Sequence, residues 1–175
     1  FVQANTSNSV NVQDFVSKPV FSVTKVPTDI LYSNAVKIDR LAANQPARKY
    51  LEDRKVPYEN LSYTCDFATF VKNVFPNCEK ILYKEPRIII PFFDRDGNLL
   101  GVQGRAIGPS KIKYITIKAD ETYPKIFGWD RLDLSKPVYV VEGPIDSLFL
   151  SNCIATMDAS LYVAPNTVGL DLDYI

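Results

Sequence analysis

Glu142 and Asp146 stand four residues apart across a Gly-Pro step, in the stretch Val138-Tyr139-Val140-Val141-Glu142-Gly143-Pro144-Ile145-Asp146-Ser147-Leu148-Phe149-Leu150. An apolar run ends at Glu142-Gly143 and another begins behind Pro144, which reads as a buried strand, a tight turn and a helix. Proline fits the first helical position, where its missing N–H is no loss and its φ is already set. Glu142 then falls at the carboxyl end of the strand and Asp146 in the first turn of the helix. Ligands of open α/β sheets bind at that strand end. Two carboxylates converging there suit a hard divalent cation such as Mg²⁺, which takes oxygen ligands. The plainer alternative is an ordinary strand–turn–helix in which Asp146 favours the helix N-terminus. That explains Asp146 well and Glu142 poorly, since a carboxylate at the mouth of a buried strand is costly without a partner.

Cations are spaced through the preceding region at Arg105, Lys113 and Lys125, with Tyr114 beside Lys113. They could line a groove that tracks phosphates, with Tyr114 as a stacking surface. A solvated sheet face explains any single lysine equally simply. Gly101 and Gly104 would let a backbone or a nucleotide approach closely, or else mark a bulge. Asp171-Leu172-Asp173 has a spacing that a strand would present on one face. The flanking residues read instead as a loop or helix end, and chance explains the match as readily.

Composition limits the classes. The chain has 175 residues, 46% hydrophobic and 12% aromatic, enough for one ordinary domain or two small ones. No apolar run approaches the ~18 residues of a membrane helix, and no signal peptide opens the chain. There is no histidine, so imidazole triads and His-bearing metal sites are excluded within these residues. Cys65, Cys78 and Cys153 lack paired spacing, which points away from a disulfide framework and from zinc. Formal net charge is zero, yet residues 137–175 hold five acids (Glu142, Asp146, Asp158, Asp171, Asp173) and no Lys or Arg. Residues 1–136 therefore carry 20 basic and 15 acidic groups. Either the last segment is a buried portion poor in charge, or an anionic, metal-holding end faces a mildly basic body.

The elements that must position these groups follow from pattern. Residues 1–20 read as a linker or arm, and residues 21–40 resist assignment. A helix is expected from about Gln45 to Lys55, with Ala47, Tyr50 and Leu51 on one face, ended by Pro57. A second is expected from Asp66 as N-cap through Phe67, Phe70, Val71 and Val74, ended by Pro76. Residues 87–93 and 99–105 read as a hairpin around Asp96-Gly97, with Pro91 marking an edge or bulge. Residues 113–118 form a further strand, 138–141 another, 144–152 a helix, and Ile154-Ala155-Thr156 a parallel strand. The chain begins at Phe1 and stops at Ile175 as an apolar stretch opens, and it reads as an excised fragment.

As an ordered set these residues resemble a known family. Glu142-Gly143-Pro144-Ile145-Asp146 resembles the first acidic motif of the Toprim fold, shared by DnaG-type primases, type IA and II topoisomerases and some nucleases. Residues 87–94, Gly101 to Arg105, Lys113-Tyr114 and Lys125 to Gly128 follow in the order of the primase core, and Pro46 to Leu51 looks like its leading helix. The wording of residues 103–106, 113–117 and 141–149 is similar to the primases of T-even-type bacteriophages. The resemblance covers roughly residues 40–156.

It implies an α+β fold leading into α/β. Residues 1–40 would be an arm, 41–136 a primase-core N-terminal subdomain of helices and antiparallel β-structure, and 137–175 the beginning of a truncated Toprim βαβ domain. It implies Glu142 and Asp146 as catalytic, metal-holding residues, with Mg²⁺ or Mn²⁺ and no zinc site. Arg105, Lys113, Tyr114, Lys125 and Arg87 would contact nucleic acid and nucleotide. The implied activity is metal-dependent synthesis of short RNA primers on single-stranded DNA during phage replication, in the cytoplasm of an infected bacterium. Nucleoside triphosphates and a replicative helicase are the implied partners, with no membrane. The family's later Asp-x-Asp motif is expected beyond Ile175, so the fragment is expected not to make primers alone. A topoisomerase, a nuclease or a non-catalytic single-strand-binding module is the alternative.

Overall fold

The computed structural model describes residues 26–157. The arm at residues 1–20 and the acids Asp158, Asp171 and Asp173 lie outside the described residues. Five strands, β1 (Val36–Lys37), β2 (Ser62–Thr64), β3 (Arg87–Phe93), β4 (Leu99–Ala106) and β5 (Tyr114–Lys118), form one sheet in that order. All four pairings are antiparallel. Helices α1 (Thr28–Asn34), α2 (Pro46–Asp53) and α3 (Phe67–Val74) precede or interrupt the sheet. Then β6 (Tyr139–Val141), the single turn α4 (Pro144–Ser147) and β7 (Cys153–Ala155) form a small parallel βαβ unit.

The sheet separates two cores because successive side chains of a strand point to opposite faces. Ile88, Ile90 and Phe92 pack with Ala47 and Leu51 of α2, and with Phe127, Ile145 and Ala155. Ile89, Val102 and Ile117 pack on the other face with Leu31 of α1 and Phe67, Phe70, Val71 and Val74 of α3. Covered on both sides, β3 reads as a continuous apolar run rather than an alternating one. Each fully buried Phe or Leu contributes about 1.5–3 kcal/mol.

The helices at 45–55 and 66–76 form within two residues of their expected limits. Gln45 caps α2 by accepting from the Ala47 and Arg48 N–H groups, and Asp66 caps α3 by accepting from Thr69 N–H at 3.0 Å. Pro91 stands at a local edge, beside a register shift. β2 pairs β3 only at Arg87–Ile89, so β3 has lost that neighbour by residue 91, and the register shifts at Phe92/Phe93.

Two expectations are corrected at the βαβ unit. The helix read over 144–152 is one α-helical turn: beyond Ser147 the N–H groups of Leu148, Phe149 and Leu150 bond only three residues back, to Ile145, Asp146 and Ser147, and the chain then reaches Asn152 at φ +53°. There the Asn152 amide donates to the carbonyls of Asp133 and Pro137 and accepts from Asp133 N–H. Its side chain thus holds the approach to β6. The run at 138–141 is also not buried: Tyr139 is 56% exposed and Val140 37%. Among the described residues β6 has one strand neighbour, β7, which is itself buried and bridged on its other side by Phe127.

Gly101 and Gly104 serve the fold rather than a ligand. A Cβ on Gly101 would meet the Phe92 ring at 2.4 Å, and one on Gly104 the Phe67 ring at 2.5 Å. Gly104→Ala is therefore expected to cost about 1–3 kcal/mol through overpacking. Gly108→Ala, which meets nothing within 4 Å, should be near neutral. Urea denaturation of the two variants checks this; equal midpoints would refute the packing account.

Candidate active site

One face of β4 and β5 is polar. Gln103 lies opposite Thr116 and Arg105 opposite Tyr114, so four polar side chains form a strip. Helix α2 lays Tyr50 against this strip, and the turn after β6 brings in Glu142, Gly143 and Asp146. Between them is a crevice of about 340 Å³ lined by Tyr50, Arg54, Gln103, Tyr114, Glu142 and Asp146, among others. Its two walls differ in charge. Glu142 and Asp146 are exposed carboxylates on one wall; tyrosines and the Arg54 guanidinium occupy the other.

Gly143 leaves room at this corner. A Cβ there would sit 2.5 Å from Asp146 Oδ2, so a larger residue would turn the exposed Asp146 carboxylate away from the strand end. With four residues, α4 has little macrodipole, and the helix-end account of Asp146 loses force. Two oxygen donors facing solvent fit a Mg²⁺-like cation, which keeps several waters and needs few carboxylates. They do not form a closed cage: among the described residues no group of three or more Asp, Glu, His or Cys side chains could hold a metal.

Arg105 and Tyr114 are brought together, but not as an open cation beside a stacking ring. Arg105 is 6% exposed, and its two terminal nitrogens donate to the hydroxyls of Tyr114 and Tyr50. Its Cζ lies 4.8 Å from the Tyr50 ring centroid and 4.9 Å from that of Tyr114. Lys113 is exposed, with Nζ 5.6 Å from the Tyr114 ring. Cations thus already lie over Tyr114. Lys125 is also exposed and lines an adjoining hollow with Lys80, Lys118 and Tyr114. Lys80 there donates to Thr116 O at 2.9 Å, and Lys118 donates to the carbonyls of Glu121 and Tyr123.

Arg87 is misassigned as a groove residue. It is fully buried on the opposite face of the sheet, over the Phe67 ring at 5.3 Å. Its nitrogens donate to Glu85, to Ser110 Oγ and to the carbonyls of Gly104, Ile112 and Lys113. No phosphate can reach it.

Tyr50 and Arg54 are the crevice residues that sequence reasoning missed. Arg54 Cζ lies 5.4 Å from the Tyr50 ring centroid. A signal existed: Tyr50 and Arg54 are four apart and so share a helix face. The shared face of Ala47, Tyr50 and Leu51 turns Tyr50 towards the sheet but does not by itself give it a ligand.

Comparison with known proteins bears on the fold. No protein-family model matches the sequence. The chain is 37% identical over 132 residues to a DNA primase of Enterobacteria phage T4, covering 73% of this chain and 38% of that protein. The chain thus spans well under half the length of that relative. Among solved structures, the RNA polymerase domain of Mycobacterium tuberculosis primase DnaG superposes with TM-score 0.59 at 15% identity, over 85% of this chain and 62% of that one. A DnaG primase catalytic domain bound to single-stranded DNA superposes with TM-score 0.53 at 18% identity, over 76% and 55%. At such identities these structures establish the shared fold.

The burial of Arg87 has a measurable consequence. Arg87→Ala should lower stability by about 3–5 kcal/mol, because Glu85 and several carbonyls lose their partner. Chemical denaturation tests it; a change under ~1 kcal/mol would mean the clasp is dispensable.

Proposed function

This chain is a relative of the T-even-type phage DNA primases, built on the DnaG catalytic-core fold, and we propose that it forms part of a primase active site. In this reading the protein synthesises short RNA primers on single-stranded DNA during phage replication, in the cytoplasm of the infected bacterium. Residues 41–136 belong to the core's N-terminal subdomain and residues 137–175 to a Toprim domain. The observation that carries the proposal is the crevice, with Glu142 and Asp146 on one wall and Tyr50, Arg54 and Tyr114 on the other. Such a pairing suits a substrate that is anionic and brings a cation.

Glu142 and Asp146 would hold Mg²⁺ or Mn²⁺, both exposed and both supplying oxygen. When bound, such an ion polarises phosphate oxygens and offsets the charge that develops on attacking and leaving oxygens. The chain's own contribution is positional. Gly143 keeps the two carboxylates at one corner, and the tyrosine wall holds a nucleoside triphosphate opposite them. Lys113 and Lys125, exposed along the β5 side, would follow the template backbone. A replicative helicase would be the partner of the whole protein.

The competing reading keeps the fold as a single-strand-binding module without chemistry. A pair of carboxylates, rather than a fuller set among the described residues, is the observation in its favour. Mn²⁺ titration followed by electron paramagnetic resonance separates the two. Glu142→Gln should weaken Mn²⁺ binding about tenfold or more, and Asp146→Asn should weaken it less. Unchanged affinity in Glu142→Gln would end the catalytic reading of this corner. Separately, affinity for an oligo-dT strand should fall with salt. Lys113→Ala should make the log–log slope shallower by about 0.7. An unaltered slope would take Lys113 off the template path.

A further inference from the structure

Arg105 is the cation that the motif puts forward for phosphate contact, and its surroundings do not allow that role. It is 94% buried, and both terminal nitrogens are committed to phenol oxygens on two different elements, Tyr50 of α2 and Tyr114 of β5. Reaching a phosphate would mean abandoning both hydroxyls and leaving the stack between the two rings. Its remaining nitrogen, Nε, is closed to solvent and has no partner, so it points at no ligand space either.

We infer that Arg105 is a positioning residue, and that the hydroxyls of Tyr50 and Tyr114 are the groups that meet the phosphates of a nucleotide in the crevice. The inference rests on the nucleotide-binding reading above and names the atoms that carry it out. A phenol hydroxyl has one proton to give and lone pairs with which to accept. Here each hydroxyl accepts from the Arg105 guanidinium, which has protons only to give. The hydroxyl proton is therefore turned away from Arg105. Among the described residues neither hydroxyl donates to a protein acceptor. Both side chains line the crevice facing Glu142 and Asp146. A cation bonded behind a hydroxyl strengthens it as a donor, because successive hydrogen bonds polarise one another. The arrangement supplies two aligned neutral donors backed by one buried positive charge. Arg54, exposed on the same wall, adds a mobile charge in front.

Two partners on different elements also fix distance. The guanidinium is planar and rigid, so it sets the separation of the two oxygens as a lysine cannot. This makes the spacing between α2 and β5 part of the binding site.

The test is calorimetric binding of inorganic tripolyphosphate to the 175-residue chain in Mg²⁺, with far-UV circular dichroism on every variant. Tyr50→Phe and Tyr114→Phe should each weaken binding about 3- to 10-fold, with the fold intact. Arg105→Lys should weaken it at least as much as either Phe change while keeping the charge. In the double-Phe background, Arg105→Lys should cause no further loss, since its effect passes through the hydroxyls. Losses that add would show Arg105 touching phosphate itself and overturn the inference. So would wild-type affinity in the double-Phe variant, or no tripolyphosphate binding by the unaltered chain. If Arg105→Lys unfolds, the double-Phe result decides alone. Failure of the primase reading would show elsewhere, as unaltered Mn²⁺ affinity in Glu142→Gln.

Discussion

Burying a guanidinium away from water is costly unless its N–H groups find acceptors, and Arg87 imposes that demand on the middle of the fold. Glu85 lies just before β3, Gly104 on β4, and Ser110, Ile112 and Lys113 in the connection leading to β5. Satisfying one side chain therefore fixes a strand, its neighbour and the connection after it. Phe67 of α3 closes the arrangement by lying under the guanidinium, in space that only Gly104 leaves open. Tyr114 begins directly after the last of these acceptors. The position of the crevice wall on one face of the sheet is thus set by a buried charge on the other.

Arg105 is one register step away, opposite Ile88, and points to the opposite face. The two arginines are both buried, and they are used differently. Arg87 is neutralised by Glu85 and spends its donors on backbone, which makes it a structural clasp. No ion pair with Arg105 is found among the described residues, and two neutral hydroxyls carry its polar contacts. Its positive charge remains uncompensated at short range. A buried charge in that condition favours an anion nearby, and its two hydroxyl partners belong to residues that line the crevice.

Local signals in the sequence were enough for most elements. Asp66 before an amphipathic run, Gln45-Pro46 before another, and Asp96-Gly97 between apolar strands each describe a structure that needs only nearby residues. The Glu142–Asp146 corner was equally legible, because Gly143 and Pro144 restrict the chain within a few bonds. What could not be read was the sense in which a charged residue would be used. Arg87 and Arg105 look alike in sequence, both set among apolar neighbours, and both were assigned to phosphate. Only their partners, up to 55 residues away in the chain, separate clasp from support. Strand β2 and the helix α1 were missed because three and seven residues carry too little periodicity to stand out.

The same distinction explains why the charge asymmetry of the chain is weak in sequence and strong in space. Residues 137–157 bring only Glu142 and Asp146 as acids, and neither is buried. In water two exposed carboxylates have modest effects on anything beyond about 8–10 Å. Here they line one crevice with Arg54 and the Arg105-backed tyrosines, so opposite charges share its walls. A bare phosphate would meet attraction from one wall and repulsion from the other. A phosphate accompanied by a divalent cation meets attraction from both. The charge pattern of a ligand, rather than its total charge, is what such a crevice would match, and the metal-bound nucleotide proposed above would have that pattern.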